Sequence, residues 1–175
     1  MTSDSPPPFR QRLVWDAEGG EIRDGAIRYL ILRPDGLMGM FGRMSPETRV
    51  QALAALAASI EEHGGGSARK YRDMGAAAPE ALLTVIAGTA PQLGWGRWHF
   101  GQVEGGRLDL MVGNSPFAAG HGPAEQPVCA PISGMFAAVA GMVLGTPATV
   151  EEVACAATGA ADCRFVARTG GTGPA

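Results

Sequence analysis

Three cysteines and one glutamate in the second half of this 175-residue chain are the side chains most able to do chemistry together. Cys155 and Cys163 stand eight positions apart, on either side of a Gly-containing turn. That spacing can place them nearly opposite on paired strands, with Cβ atoms about 5 Å apart. Glu152 precedes Cys155 by three positions, and side chains three apart in a regular strand point to opposite faces. For both to reach one ion, a bulge or a turn must therefore intervene.

Cys129 is the third cysteine, and it directly precedes a helix predicted to open at Pro131. The partial positive charge at a helix N-terminus favours a thiolate. Three thiolates and one carboxylate would complete a closed four-coordinate structural site, and sulfur ligands select zinc or iron over magnesium or calcium. Spacing alone leaves a second interpretation open. The pattern is neither CxxC nor a zinc-finger spacing, so the three cysteines could be small buried hydrophobic residues.

Helical signals recur along the chain. Ser45-Pro46-Glu47 combines an N-cap serine, a proline at the first helical position and an acid in the first turn, and Gly64-Gly65-Gly66 is expected to end that helix near His63. A second helix is predicted to begin at Pro79, and a third is predicted to run from Pro131 to Gly145. Each of them carries apolar residues at helical spacing.

Strand signals separate these helices. We expect a strand at about 24–33, a hairpin over about 95–112 and a last hairpin of about 148–156 and 162–168, with a long loop from 114 to 128. The short apolar segment 37–41 is expected to be a helical turn or a mobile flap. Segregated helices and antiparallel hairpins predict an α+β domain, an antiparallel sheet with helices packed on one face.

Composition limits the function classes. The net charge of −3 and the pI near 5.6 argue against nucleic acid as a partner, because phosphate binding needs a basic surface. The first residues lack the apolar region of a signal peptide, and no apolar run is long enough to span a membrane. We expect a cytoplasmic protein with flexible tails at 1–12 and 169–175 and a single domain at 13–168.

Four motifs in the same order resemble the 4-vinyl-reductase domain family. They are Gly94-Trp95-Gly96; Asn114-Ser115-Pro116-Phe117; Pro127-Val128-Cys129 with Gly134 five residues on; and Glu152-x-x-Cys155-x-Ala157-x-Gly159-x-x-x-Cys163-x-Phe165. The family includes an accessory protein of bacteriochlorophyll synthesis, the sensory domains of phenol- and xylene-responsive transcription activators, and stand-alone proteins called hydrocarbon-binding. Ala130 departs from the histidine that many members carry after the first cysteine.

The resemblance implies a fold similar to small vesicle-tethering subunits, usually dimeric, with helices around an apolar cavity. It also implies a structural zinc beside the ligand pocket, held by residues that fall on Cys129, Glu152, Cys155 and Cys163. We expect a sensor-type domain that binds a hydrophobic or aromatic ligand and relays its presence to a protein partner. The alternative is a carrier or accessory protein of tetrapyrrole or bacteriochlorophyll biosynthesis.

Aromatic residues are the candidates for the pocket, because ligand pockets are mostly apolar with a few directional polar groups. Met38, Met40 and Phe41 are candidates for a lid, since methionine adapts to varied partners. Each of these residues could equally be ordinary core. The predicted pocket residues are Trp95, Trp98, Phe100, Phe117, Phe136 and Tyr71.

Signals for catalysis are few. The chain has no GxSxG elbow, no phosphate loop and no dinucleotide-binding glycine pattern after a strand. A closed metal shell also offers no open coordination position for a substrate. We therefore assign no catalytic residue and no cofactor besides the metal.

Overall fold

The computed structural model describes residues 7–170 and contains two antiparallel sheets. The smaller sheet is N-terminal, and the larger one carries the cysteines. The strands are β1 (Val14–Asp16), β2 (Glu21–Asp24), β3 (Ile27–Tyr29), β4 (Arg97–Phe100), β5 (Arg107–Gly113), β6 (Ala148–Ala154) and β7 (Cys163–Thr169). The helices are α1 (Phe9–Arg12), α2 (Pro34–Phe41), α3 (Pro46–Asp73), α4 (Pro79–Thr89), α5 (Pro116–His121) and α6 (Ala130–Leu144).

The large sheet has the strand order β4-β5-β7-β6. One face of it is buried, and alternate residues of β5, Leu108, Leu110 and Val112, point into that face. Against it packs α6, whose Ile132 and Phe136 are fully buried. The long helix α3 lies against α6, and α4 packs on β4. The predicted α+β architecture, an antiparallel sheet with helices on one face, is confirmed.

The predicted end of α3 near His63 is wrong. The helix continues through Gly64-Gly65-Gly66 to Asp73, and Gly64 and Gly65 lie against Met135 and Ala138 of α6. A Cβ at Gly65 would lie 3.2 Å from the Cβ of Ala138. The close approach of the two helices therefore uses the small residues that, in isolation, predict a helix end.

The predicted strand at 24–33 is also wrong in its bounds. Gly25 has a φ of +61° and turns the chain, so that Asp24 pairs with Ile27 in a tight hairpin of β2 and β3. Residues 30–33 follow β3 without belonging to a strand or helix. Together β1, β2 and β3 form a small meander separate from the main sheet.

Segment 37–41 is helical, which confirms one of the two predictions for it. Met38 and Phe41 are buried in the core, so the structure contradicts a lid role for these two residues, whereas Met40 is exposed. The predicted long loop at 114–128 contains α5. None of the helices in the described part of the chain is long and apolar enough to cross a membrane.

The predicted tails fall partly outside the described residues, which exclude 1–6 and 171–175. Within the predicted N-terminal tail, Phe9–Arg12 form one helical turn, and Phe9 is buried with its ring 5.2 Å from that of Tyr29. Arg12 bonds to Asp24, which is itself buried. These contacts attach the meander to the first described residues.

Candidate metal centre and ligand groove

A bulge in β6 turns Glu152 and Cys155 to the same side of the sheet. Glu152 pairs with Phe165 on β7, and Ala154 pairs with Arg164, so Val153 is the extra residue. Phe165 is buried and Arg164 faces solvent. The bulge therefore reverses the alternation after Glu152, which places Cys155 on the buried face. The spacing of these two residues predicted either a bulge or a turn, and the structure has the bulge.

The three sulfur atoms meet where β6 and β7 face the start of α6. Cys163 begins β7, and Cys129 is the N-cap residue of α6. The sulfur of Cys129 lies 3.9 Å from that of Cys155 and 3.6 Å from that of Cys163. All three cysteines are free and fully buried.

The donor set fits a metal ion. One ligand atom from each of the four residues, Glu152 included, lies within 4.8 Å of the others. Glu152 accepts the amide N–H of Cys129 at Oε2, at 2.9 Å, while its buried Oε1 has no hydrogen-bond partner in the described chain. Tetrahedral zinc with Zn–S bonds of about 2.3 Å separates its sulfur ligands by about 3.8 Å, close to the observed distances. The four residues predicted as ligands are therefore close enough to bind a metal.

The pKa values of the four clustered groups are also consistent with a cation site. Burial, with the neighbouring thiol of Cys155, raises the pKa of Glu152 to about 8. The pKa of Cys129 is raised because its thiol is hydrogen-bonded to the sulfurs of Cys155 and Cys163 and is buried. The pKa of Cys163 is lowered to about 4, because this sulfur accepts from the other thiols and from the amide of Ala156. A bound cation would favour the ionised form of all four groups.

Ser115 joins this cluster to a neighbouring helix. Its Oγ lies 3.2 Å from the sulfur of Cys129 and also accepts the amide N–H of Ala118, at 3.3 Å. Ser115 is thereby the N-cap of α5, and it is itself buried. The sequence marks Ser115 only as part of a motif, without a role.

A groove of about 600 Å³ opens beside α5. One wall comes from the body of the domain and the other from the N-terminal meander and the segment after it. The wall from the body contains Leu37, Gln92, Leu93, Gly94, Trp95, Pro116 and Phe117. The facing wall contains Phe9, Arg10, Leu13, Trp15, Ile22, Tyr29, residues 30–32, Arg33 and Pro34.

Two of the six predicted pocket residues line this groove. Trp95 and Phe117 lie together there in an edge-to-face arrangement, with ring centroids 5.1 Å apart. Trp95 follows Gly94, which has a φ of +77° at the end of a 3-10 turn. The Gly-Trp motif thus ends one element and turns the indole toward the groove.

The other four predicted pocket residues lie elsewhere. Trp98 and Phe100 share the buried face of β4, as the alternation predicted. The ring of Phe100 lies edge-to-face with that of Trp98 and 6.1 Å from that of Phe136 on α6. Tyr71 is buried on α3, where its hydroxyl accepts from Arg12 at 2.9 Å. His99 is exposed on the opposite face of β4.

The residues of the facing wall were not among those predicted from the sequence to line the pocket. The sequence predicts a tail for residues 9–12 and a strand for residues 30–32, although the latter are an unbroken apolar run, Leu-Ile-Leu. Trp15, whose side chain is 62% exposed, is a structural signal for this wall, since a large exposed indole calls for an explanation.

Comparison with known proteins agrees with this geometry. Residues 108–169 match the family model of the 4-vinyl-reductase domain. Among curated proteins no sequence matches the chain. The phenol-responsive sensory domain of the transcription activator PoxR, solved with phenol, has 18% identity and a TM-score of 0.78, covering 91% of this chain and 85% of that one.

Two further solved structures share the fold. A vinyl-4-reductase family protein from Methanocaldococcus jannaschii has 16% identity and a TM-score of 0.51, covering 77% of this chain and 89% of its own. A trafficking protein particle complex subunit 3 from Naegleria fowleri, covalently bound to palmitic acid, has 12% identity and a TM-score of 0.55, covering 77% and 93%. At these identities the likenesses establish the fold, including the similarity to vesicle-tethering subunits. Residues 108–169 of this chain therefore match the 4-vinyl-reductase domain family in sequence, and the chain as a whole shares the fold of these structures.

Proposed function

We propose that this chain is a zinc-containing sensor domain that binds a hydrophobic or aromatic small molecule in the groove beside α5. The observation that carries the proposal is the position of α5. Its N-cap, Ser115, contacts the cysteine cluster, and the next two residues, Pro116 and Phe117, line the groove. One short helix thus borders both sites.

The groove has the chemistry of a ligand site. Its walls are mainly aliphatic and aromatic, and a volume of about 600 Å³ lies within the range of small-molecule pockets. Trp95 adds an indole N–H that has no acceptor among the described residues, and Arg10 and Gln92 add polar groups at one side. A few directional groups in an apolar cleft are typical of sites that orient a ligand.

Zinc is the metal we propose for the cluster. Three sulfurs and one carboxylate suit it, and the four donors close the shell. When bound, zinc would tie Cys155 and Cys163 of the last hairpin to Cys129 at the start of α6 and so contribute folding free energy. The role is structural, and the ion would set the position of Ser115.

A sensor needs a way to pass on occupancy, and the arrangement of α5 supports one. Gly120 of α5 lies against the backbone of Pro34, where a Cβ would come within 2.6 Å of the carbonyl carbon. Both Phe117 and Pro34 line the groove, so a ligand between the walls would act on the packing of α2 against α5. The PoxR domain, described as phenol-responsive, has this fold.

We also propose that the domain forms homodimers in the cytoplasm and signals to a further protein. Residues 30–32 support the dimer, because they are apolar, and Leu30 and Ile31 are 74% and 75% exposed. Three free thiols without a disulfide are typical of a reducing compartment.

Calorimetric titration of the metal-loaded protein with 2-naphthol tests the ligand function. We expect saturable binding that Trp15→Gln weakens, since Trp15 lines the groove, and that Val50→Gln leaves unchanged. Both side chains are more than half exposed, so neither change should unfold the domain. Absence of binding would contradict the proposal, and binding of porphyrins in place of small aromatics would favour the tetrapyrrole carrier.

A further inference from the structure

We infer that the ligand of this groove is an apolar monocarboxylic acid whose carboxylate is bound by Arg10. The inference rests on the proposed function of the groove as a ligand site and adds the chemical class of its ligand. It is carried by the charge of the groove lining and by the way Arg10 is held.

The described part of the groove lining contains positively charged residues and no acidic ones. Arg10 and Arg33 are its charged residues, and no aspartate or glutamate belongs to the described lining. Arg33 is neutralised, because its Nε donates to Asp35 at 3.0 Å. One positive charge, that of Arg10, therefore remains for a ligand.

Arg10 is fixed in place by the opposite wall. Its Nε donates to the backbone carbonyl of Gln92 at 3.2 Å, and its backbone N–H donates to the Oε1 of the same residue at 3.1 Å. The terminal guanidinium nitrogens have no partner within residues 7–170. A guanidinium oriented through Nε, with its terminal N–H groups free, is arranged for the two oxygens of a carboxylate.

The rest of the groove requires an apolar body. Tyr29, Leu37, Trp95 and Phe117 also line it, and none of these four side chains carries a charge. The volume of about 600 Å³ also exceeds what a single phenol ring fills. A monocarboxylate with a bicyclic or long alkyl body matches both the size and the single charge.

A preference of the groove for anionic ligands would have to come from Arg10 locally. The whole chain has a net charge of −3 and therefore repels anions at long range. The contact of Arg10 with the acid lies near the surface, so added salt should screen it. Neutral ligands should show no such salt dependence.

Calorimetry with the pair 2-naphthoate and neutral 2-naphthol on the metal-loaded protein tests the inference. We expect 2-naphthoate to bind about tenfold more tightly, as a charge-assisted hydrogen-bonded pair at a partly exposed site contributes. Arg10→Gln should abolish this preference by weakening 2-naphthoate binding far more than 2-naphthol binding, and Arg10→Lys should restore part of it. The matched control Arg107→Gln changes an exposed arginine outside the groove whose Nε donates to Asp109, and it should change neither affinity by more than about twofold.

Equal binding of the two probes, or a preference for 2-naphthoate that survives Arg10→Gln, would overturn the inference while the groove stands as a ligand site. Failure of both probes to bind would overturn the proposed function as well. Arg10 is exposed, so its variants should fold, and circular dichroism would verify this.

Discussion

The hydroxyl oxygen of Ser115 lies 3.2 Å from the sulfur of Cys129 and at the same time caps α5. This single side chain connects the cysteine cluster to the helix that lines the groove. A motif residue with no evident role in the sequence thereby becomes the physical link between the two halves of the proposed function.

Replacement of Ser115 by alanine should weaken both metal binding and ligand binding. Loss of an N-cap hydroxyl costs about 1 kcal/mol of helix stability, and loss of an outer-sphere partner lowers metal affinity by about 10–100-fold. We therefore expect faster loss of zinc to a chelator and weaker binding of 2-naphthol. Ser115→Thr, which keeps the hydroxyl, is the control. Unchanged zinc retention and ligand affinity in the alanine variant would contradict the link.

Gly134 tests the packing that positions Cys129. A Cβ at this position would lie 2.1 Å from the carbonyl oxygen of Ala57 on α3, and the contact is with backbone that cannot turn away. Gly134→Ala should lower the free energy of unfolding, measured by urea denaturation, by at least about 1–3 kcal/mol.

Gly141 is the matched control on the same helix. A methyl group added there would have the carbonyl oxygen of Thr146 as its nearest neighbour, 3.7 Å away, an ordinary contact. Gly141→Ala should be neutral or should stabilise the protein by up to about 1 kcal/mol, because alanine favours helix. Equal effects of the two substitutions would show that the close approach of α3 and α6 is not what requires Gly134.

The apolar segment 30–32 leads to a prediction about assembly. Ile31→Lys should convert the proposed dimer into a monomer in light scattering, because it would place a charge on the exposed apolar segment that we propose as the interface. Val50→Lys changes a residue of similar exposure on α3 and should leave the dimer intact. A wild-type protein that is monomeric at micromolar concentration would refute the proposed dimer.

Much of the cluster could be predicted from sequence, because ligand chemistry constrains strand geometry. Glu152 and Cys155 cannot share a face without an irregularity, and the bulge at Val153 supplies it. The hairpin that carries Cys163 followed from alternation and its glycine turn. Local patterns were sufficient where neighbouring residues in sequence are also neighbours in space.

The remaining features depend on contacts between distant segments. The three glycines after His63 favour a helix end locally, but the helix continues where Gly64 and Gly65 pack against α6, a contact between segments far apart in sequence. The groove escapes sequence-based prediction for the same reason. Its second wall includes Phe9, Trp15 and residues 30–32, which come from separate segments, and the pairing of Arg12 with Asp24 is one of the contacts that join these segments.

The measurement that tests the account most directly is the metal content of the purified protein by elemental analysis, with Cys155→Ser and Cys163→Ser beside it. We expect about one zinc per chain. Either substitution should remove the metal and lower the free energy of unfolding, because each removes one of four ligands. A wild-type protein without metal, with both variants equally stable, would contradict the account and reduce the cysteines to core residues.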